Sequence, residues 1–345
     1  MDKTFLEQGA ARFGTPSYIF DMDILTEHVG KFREILRDTA GLCYAIKTNP
    51  FLAEQMAGMT DRLEVCSIGE FQICRKLQIP PEKLFISGVL KKKEELYEIL
   101  EYTGGKSACT VESPQQFQYL IDWCEEHHAS VPVYLRLSSG NQFGVDWETL
   151  TSMIEIRKNC PFVKIVGLHY FSGTQKKGTG KIKEEIAYLD QCCKEIEEKH
   201  GFFIETLEYG PGLSVSYFKG EEDHLLEDLK ETAEAVKRMR WKGHVVLEMG
   251  RALTAVCGYY LTRICEIKQN EGKKYCMTDG GIHQIHYDGQ VRGMYLPHVE
   301  MIPEKEEGQE GEYTVFGALC TVNDVLLQKV RLKEPSVGST LVFER

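Results

Sequence analysis

A chain of 345 residues is too long for one small core and long enough for two domains. With 42% hydrophobic and 27% charged residues it has the composition of an ordinary globular protein, and its formal net charge of −11 excludes the basic footprint that nucleic acid or an anionic membrane surface requires. No 18-residue apolar run occurs, MDKTFLEQGAARFG at the N-terminus has no apolar signal core, and the twelve cysteines include no C-x-x-C pair. Most of them, such as Cys43, Cys66 and Cys257, lie in apolar runs where a thiol acts as a small hydrophobe. A reduced, cytoplasmic protein without a structural zinc site is expected.

The first strand-like stretch is TPSYIFD (15–21). From residue 41 the pattern alternates. Short β-rich runs recur as LCYAIK (42–47), RLEVCS (62–67), KLFISG (83–88), SACTVE (107–112), VPVYLRL (131–137), KIVGLHYF (164–171), ETLEYG (205–210) and HVVLEMG (244–250). Between them apolar residues at three- and four-residue spacing predict helices over 69–78, 92–103, 113–127, 147–158, 180–199 and 221–240; Leu96, Ile99 and Leu100 are one such set, and Phe117, Leu120, Ile121 and Cys124 another. Eight strands alternating with helices favour a closed (β/α)8 barrel over a doubly wound open sheet. After about residue 250 the texture changes: AVCGYYLTRICEIKQ, KKYCMTDGG, GEYTVFGALC and STLVFER read as strands with no long amphipathic helix between them. The expected architecture is a barrel over residues 25–250 and a β-rich domain, sandwich or barrel, from 1–24 and 251–345. The acidic PEKEEGQEGE (303–312) reads as a solvated hairpin loop.

On such a barrel the C-terminal ends of the strands make the active site. A lysine there is ordinarily a solvated loop residue, and Lys47 alone would carry no function. Its companions change that reading. Glu64 and Ser67 lie in and just after the second strand, Arg136 ends the fifth, and His169 to Gln175 finish the sixth. YGPG (209–212) follows the seventh strand and EMGR (248–251) ends the eighth. Glycine-rich turns after late barrel strands commonly seat a phosphate. A lysine, a phosphate cradle and a carboxylate together point to pyridoxal 5'-phosphate: the lysine forms an aldimine with its aldehyde, the carboxylate keeps its pyridine nitrogen protonated, and the loops hold its phosphate.

These residues resemble the fold-type III pyridoxal-phosphate decarboxylases that act on diaminopimelate, ornithine and arginine. YAIKTNP resembles the family's Y-A-x-K-A-N, LEVCSIGE its D-V-x-S-x-x-E, and HYFSGTQ its H-x-H-x-G-S-Q. EYGPGL resembles D-x-G-G-G-F, EMGR resembles E-P-G-R, and GALCTVND resembles G-P-x-C-E-S-x-D. Six modest motifs in the same order, nearly end to end, make the likeness specific. It implies a barrel plus a β domain, and a homodimer with shared active sites. It implies that Lys47 carries the cofactor, that Glu248 pairs with the pyridine nitrogen, and that Thr174, Gly210, Gly212, Gly250 and Arg251 surround the phosphate. It further implies that Cys320 reaches into the neighbouring subunit's site and returns a proton to the α-carbon after CO2 leaves an external aldimine as a quinonoid.

Four departures from the family pattern bear on function. Phe171 stands where the family has its cofactor-stacking histidine; a phenyl ring still stacks but donates no proton, while His169 matches the motif's other histidine. Pro211 replaces the middle glycine of the phosphate loop and removes one N–H. Thr321 replaces the acid that helps hold a distal ammonium, leaving Asp324 as the motif's last acid, with a substrate or a structural role. The sequence stops at VGSTLVFER, with no G-A-Y segment whose tyrosine contacts the phosphate. HYFSGTQ, DGGIH and GALCTVND look closer to a branch that includes the butirosin-pathway enzyme, which decarboxylates glutamate tethered to an acyl carrier protein. There Arg292, in GQVRGMY, would meet a substrate carboxylate or the carrier's phosphate arm, unless it is an ordinary surface arginine.

The expected activity is therefore amino-acid α-decarboxylation, on a tethered or otherwise non-standard amino acid or, alternatively, on diaminopimelate or another free diamino acid. A racemase on a related barrel would set an arginine against the pyridine nitrogen, and Glu248 argues against that. A catalytically silent cofactor- or partner-binding relative would need neither Lys47 nor Cys320.

Overall fold

The computed structural model describes residues 3–303 and 307–345. Helix α1 (Lys3–Phe13), strand β1 (Ser17–Phe20) and helix α2 (Met22–Leu36) open the chain. Neither helix is among the expected segments, although α2 buries Leu25, Val29, Phe32 and Leu36 at helical spacing. Then β2 (Gly41–Ala45), α3 (Ala53–Met59), β3 (Arg62–Val65), α4 (Ile68–Lys76), β4 (Leu84–Ile86), α5 (Lys93–Thr103), β5 (Ala108–Val111), α6 (Pro114–His127) and β6 (Val131–Arg136) alternate. The series continues through α7 (Trp147–Ile156), β7 (Val163–Phe171), α8 (Gly180–His200), β8 (Thr206–Gly210), α9 (Leu225–Lys237), β9 (His244–Met249) and the short α10 (Arg251–Thr254).

Strands β2 to β9 are parallel, and β9 pairs with β2 to close an eight-stranded barrel. Six of the eight strands fall within the expected runs, and β2 and β7 begin one residue earlier, at Gly41 and Val163. They read as continuous apolar stretches because helices cover one face and packed side chains fill the other. Local chemistry starts the helices where the strands stop. Ser67, Ser113 and Asp146 accept from the N–H groups of Glu70, Gln116 and Thr149 at the starts of α4, α6 and α7, and Pro114 follows its cap.

The chain divides into two compact units, Val29–Ser214 with His224–Leu253, and Met1–His28 with Val215–Asp223 and Thr254–Arg345. Residues 215–223, inside the expected barrel range, belong with the β-rich unit because Val215 and Tyr217 are buried among Tyr260, Ile264, Tyr287 and Phe343. Helix α9 accordingly begins at Leu225, four residues later than expected.

The second unit is built on β10 (Gly258–Asn270), β11 (Lys273–Thr278), β12 (Val299–Ile302), β13 (Glu310–Phe316), β14 (Val325–Lys333) and β15 (Thr340–Glu344). They form one sheet in the order β12-β15-β10-β11-β13-β14, with β1 also paired to β10, as the strand-like TPSYIFD suggests. Strand β10 changes partners along its length: β1 and β15 pair with its first half and β11 with its second, across a register shift between Ile264 and Glu266 that bends the strand. The acidic 303–312 segment is not a hairpin. It leads from β12, which pairs with β15, to β13, which pairs with β11 and β14, and its last residues already belong to β13. Residues 304–306 of that segment lie outside the described residues.

Candidate active site

The barrel sets a constellation of charge at the C-terminal ends of its strands. Lys47 sits in a single 3-10 turn, Ile46–Thr48, directly after β2. The turn is held from below by the Tyr44 hydroxyl, which donates to the Asn49 carbonyl at 2.9 Å, while the Asn49 side chain caps the next turn by accepting from Phe51 N–H. The Lys47 ammonium donates to Glu64 Oε2 at 2.7 Å and lies 3.7 Å from Glu248 Oε1. Both carboxylates are buried while the lysine side chain is half-exposed, so the amine is presented at the mouth with its counter-charges beneath it.

Each carboxylate has a second partner. Ser87, at the end of β4, donates a short hydrogen bond to Glu64 Oε1. His169 Nε2 lies 3.2 Å from Glu248 Oε2. Burial pushes the Glu64 carboxyl up, Glu248's charge adds to that, and Lys47 opposes it; the balance stands at about 6. Burial also disfavours the charged form of Glu248, but the Lys47 ammonium and the His169 hydrogen bond outweigh it and hold this carboxyl well below the usual range. Burial lowers the Lys47 pKa, yet Glu64 and Glu248 more than reverse the effect and keep the amine protonated. Burial also pushes the His169 imidazole down against the pull of Glu248, which favours the neutral ring. Since an ionised carboxylate only accepts, His169 donates from Nε2, and its buried Nδ1 has no partner. The Phe85 ring meets the imidazole edge-on at 5.4 Å and fixes its plane.

Arg136 is buried at the end of β6, 3.1 Å from Glu112 Oε1, with its guanidinium over the Phe143 ring at 4.5 Å. Ser67 sits on the rim with its hydroxyl given to the helix cap. The turns after β7 and β8 are packed against each other. The Phe171 ring lies where a side chain at Gly210 would begin, and the Gly173 carbonyl where one at Gly212 would. Gly212 also takes a positive φ of 68°, so glycine is required there on two counts. Thr174 is exposed in the turn after β7. Gly250 packs on the Thr48 side chain, beside Lys47, and Arg251 starts α10.

The remaining expected residues lie in the β-rich unit. Cys320 and Thr321 are exposed on the 317–324 loop. Arg292 donates to the Val322 carbonyl at 3.2 Å and so ties the 290–295 turn to that loop. Asp324 is fully buried, and its carboxylate accepts from the N–H groups of Ile282 and Leu319 at 2.8 and 2.7 Å. Of the two roles open to it, the structural one is what this geometry serves. Sequence reasoning missed Ser87, Glu112 and the buried Glu208, which lies 3.2 Å from Arg62 in the barrel interior. For Ser87 and Glu112 the available signal was a hydroxyl or carboxylate directly after an apolar strand, and for Glu208 an acid inside one.

The donor set fits pyridoxal phosphate. It offers one reachable amine at a barrel mouth, an ionised buried carboxylate suited to a protonated ring nitrogen, an orphaned buried imidazole nitrogen, and closely packed turns that only glycine fits. Among the described residues no helix is long and apolar enough to cross a membrane, and no cluster of His, Cys, Asp and Glu is placed to hold a metal ion.

Comparison with known proteins agrees. A profile describing the pyridoxal-dependent decarboxylase, pyridoxal binding domain, matches residues 23–255. The L-glutamyl-[BtrI acyl-carrier protein] decarboxylase of Niallia circulans is 25% identical, over 96% of this chain and 83% of that protein. The diaminopimelate decarboxylase of Methanocaldococcus jannaschii is 26% identical, over 97% and 82%. A crystal structure of diaminopimelate decarboxylase from M. jannaschii superposes with a TM-score of 0.87 at 24% identity, covering 98% of this chain and 83% of that one. One of the Vibrio vulnificus lysine/ornithine decarboxylase with cadaverine reaches 0.85 at 20% identity, covering 99% and 91%. The barrel mouth and the matched family coincide: the chain belongs to the pyridoxal-dependent decarboxylases and is a carboxy-lyase whose cofactor is pyridoxal phosphate.

Proposed function

We propose that the enzyme removes the α-carboxylate of an amino acid whose far end is not a free ammonium, foremost a glutamyl group tethered to an acyl carrier protein. The observation that carries the site assignment is the Lys47 amine set between Glu64 and Glu248 at the barrel mouth. Bound there, pyridoxal phosphate supplies the electron sink that decarboxylation needs. Lys47 would hold it through its aldehyde, Glu248 would keep a proton at its ring nitrogen, and Phe171 would offer an apolar face to the ring. Thr174, Gly210, Gly212, Gly250 and Arg251 would surround its phosphate, with Glu64, Ser67, Arg136 and His169 around the rest. Twelve free cysteines suit a reducing, cytoplasmic setting.

The substrate reading rests on the 319–323 loop, LCTVN, which carries no carboxylate. Thr321 stands where the family's distal-amine acid would be, and Asp324 is committed to backbone N–H groups. Arg292, beside the loop, is available to a carboxylate or to a carrier's phosphate arm. A neutral hydroxyl in place of a charged partner costs a free diamino acid about 1.5–3 kcal/mol, a ten- to hundredfold fall in specificity constant. Free lysine, ornithine and diaminopimelate should therefore be poor substrates, and Thr321→Glu should improve one of them. The test is trapped CO2 and product mass over a panel of free diamino acids, free glutamate and carrier-tethered glutamate. Efficient turnover of a free diamino acid by the unmodified enzyme would instead support the diaminopimelate reading, which the name of the M. jannaschii relative favours.

The functional unit in this reading is a homodimer in which Cys320 serves the partner's site and returns a proton to the α-carbon. Cys320 is exposed between Leu319 and Val322, which are 41% and 73% exposed, an apolar rim of the kind a subunit contact covers. Mixing inactive Lys47→Ala with inactive Cys320→Ala subunits should restore activity, since one of the two sites in a mixed dimer is intact. No recovery despite demonstrated subunit exchange would place both residues in one chain's site.

A further inference from the structure

A buried carboxylate lies behind the two glycine-bearing turns and is not used in the reading above. Glu185, in the second turn of α8, is 6% exposed. Its Oε1 accepts from the Ser172 hydroxyl, and its Oε2 accepts from Lys176 Nζ at 2.6 Å and from the Tyr209 hydroxyl at 2.7 Å. Ser172 and Lys176 bracket the Gly173–Thr174–Gln175 turn after β7. Tyr209 immediately precedes Gly210 in β8. The same turns touch through backbone: Lys176 N–H donates to the Gly212 carbonyl at 2.9 Å, and the Gly173 carbonyl fills the space beside Gly212. One carboxylate therefore holds both shoulders of one turn and the root of the other.

Packing alone does not ask for this. The neighbouring inward positions of α8 are filled by Ile182, Ile186 and Leu189, and a buried ion pair is commonly no more stabilising than an apolar side chain of the same size. What the network adds is a fixed spacing between two loops. The spacing counts for more here because Pro211 has no N–H, so the 210–212 turn has at most two backbone donors.

We propose that Glu185 is a positioning residue for the cofactor's phosphate: it locks the Thr174 turn and the Gly210–Gly212 turn into one anion seat without touching the phosphate itself. The proposal rests on the assignment of those two turns to the phosphate. The experiment compares dissociation constants for pyridoxal phosphate and for pyridoxal, which lacks the phosphate, by equilibrium dialysis against the apo-form. Glu185→Gln should weaken pyridoxal phosphate on the order of tenfold and leave pyridoxal unchanged. Thr174→Ala, at the seat itself, should also lose preference for the phosphorylated form. If Thr174→Ala loses the preference and Glu185→Gln keeps it, Glu185 is merely structural and the proposal is overturned. If neither variant loses it, the phosphate lies elsewhere and both readings fall. Glu185→Gln leaves the Lys176 ammonium without its carboxylate; should that variant not fold, Tyr209→Phe keeps the ion pair and removes only the tie to β8. It should then reduce the preference roughly threefold, and an unchanged preference would equally overturn the proposal.

Discussion

Replacing Lys47 by alanine should lower kcat/KM by about a thousandfold or more, because covalent attachment and proton handling at one amine are lost together. The fold should survive. The lysine side chain is half-exposed, and its turn is set by Tyr44 and Asn49 rather than by the amine. Glu64 and Glu248 would lose their shared cation. Glu64, which already titrates near 6, is the one placed to take up a proton. Borohydride treatment of the loaded enzyme should fix pyridoxyl mass on the peptide containing Lys47 and nowhere else. The instructive competitor is Lys91, which burial pushes down to about 8 and which by acidity alone would be the better nucleophile. Geometry removes it from contention. Its three N–H groups are given to the Gly88 carbonyl at 2.6 Å, the Thr110 hydroxyl at 2.9 Å and the Gln116 side chain at 3.3 Å. Label on Lys91, or on any other lysine, would overturn the assignment.

The barrel was legible in the sequence because each of its strands is a local event: a short apolar run ended by a turn or a helix cap, as in LCYAIKTNP or SACTVESP. The two opening helices lie outside the expected segments, although α2 carries a clear helical stripe through Leu25, Val29, Phe32 and Leu36. Partnerships across the barrel were another matter. His169 and Glu248 are 79 residues apart and meet only because β7 and β9 flank β8 in the closed sheet. No spacing rule announces such a pair. The same holds for Ser87 with Glu64, and for Glu185 with Ser172, Lys176 and Tyr209. Asp324 and the 303–312 segment teach the converse. A motif supplied the acid and a charge run supplied the loop, but burial gave the acid its structural duty, and strand order, not local composition, decided that the loop joins strands that do not pair.

Glu248→Gln should keep the cofactor and lose turnover by roughly a hundredfold or more, since a preorganised charge aimed at the reacting system is worth that much in a water-poor site. Lys47 is untouched, so attachment persists. The substitution preserves shape, and the amide oxygen can still accept from His169 Nε2, so the imidazole keeps its place and its tautomer. What disappears is the negative charge that the His169 hydrogen bond helps to hold, against the effect of burial. A proton at the ring nitrogen then has no ionised partner. The sign of the pH dependence follows. A carboxyl with a depressed pKa stays ionised from well below the ordinary carboxylate range upward, so the unmodified enzyme should show no loss of kcat between about pH 5 and 8 attributable to Glu248. The variant's deficit should be uniform across that window, because its amide does not titrate. Steady-state kinetics with cofactor occupancy measured on the same samples separates the two effects. Undiminished kcat at full occupancy would remove Glu248 from its role, whereas a loss that follows cofactor loss would make it a binding residue only.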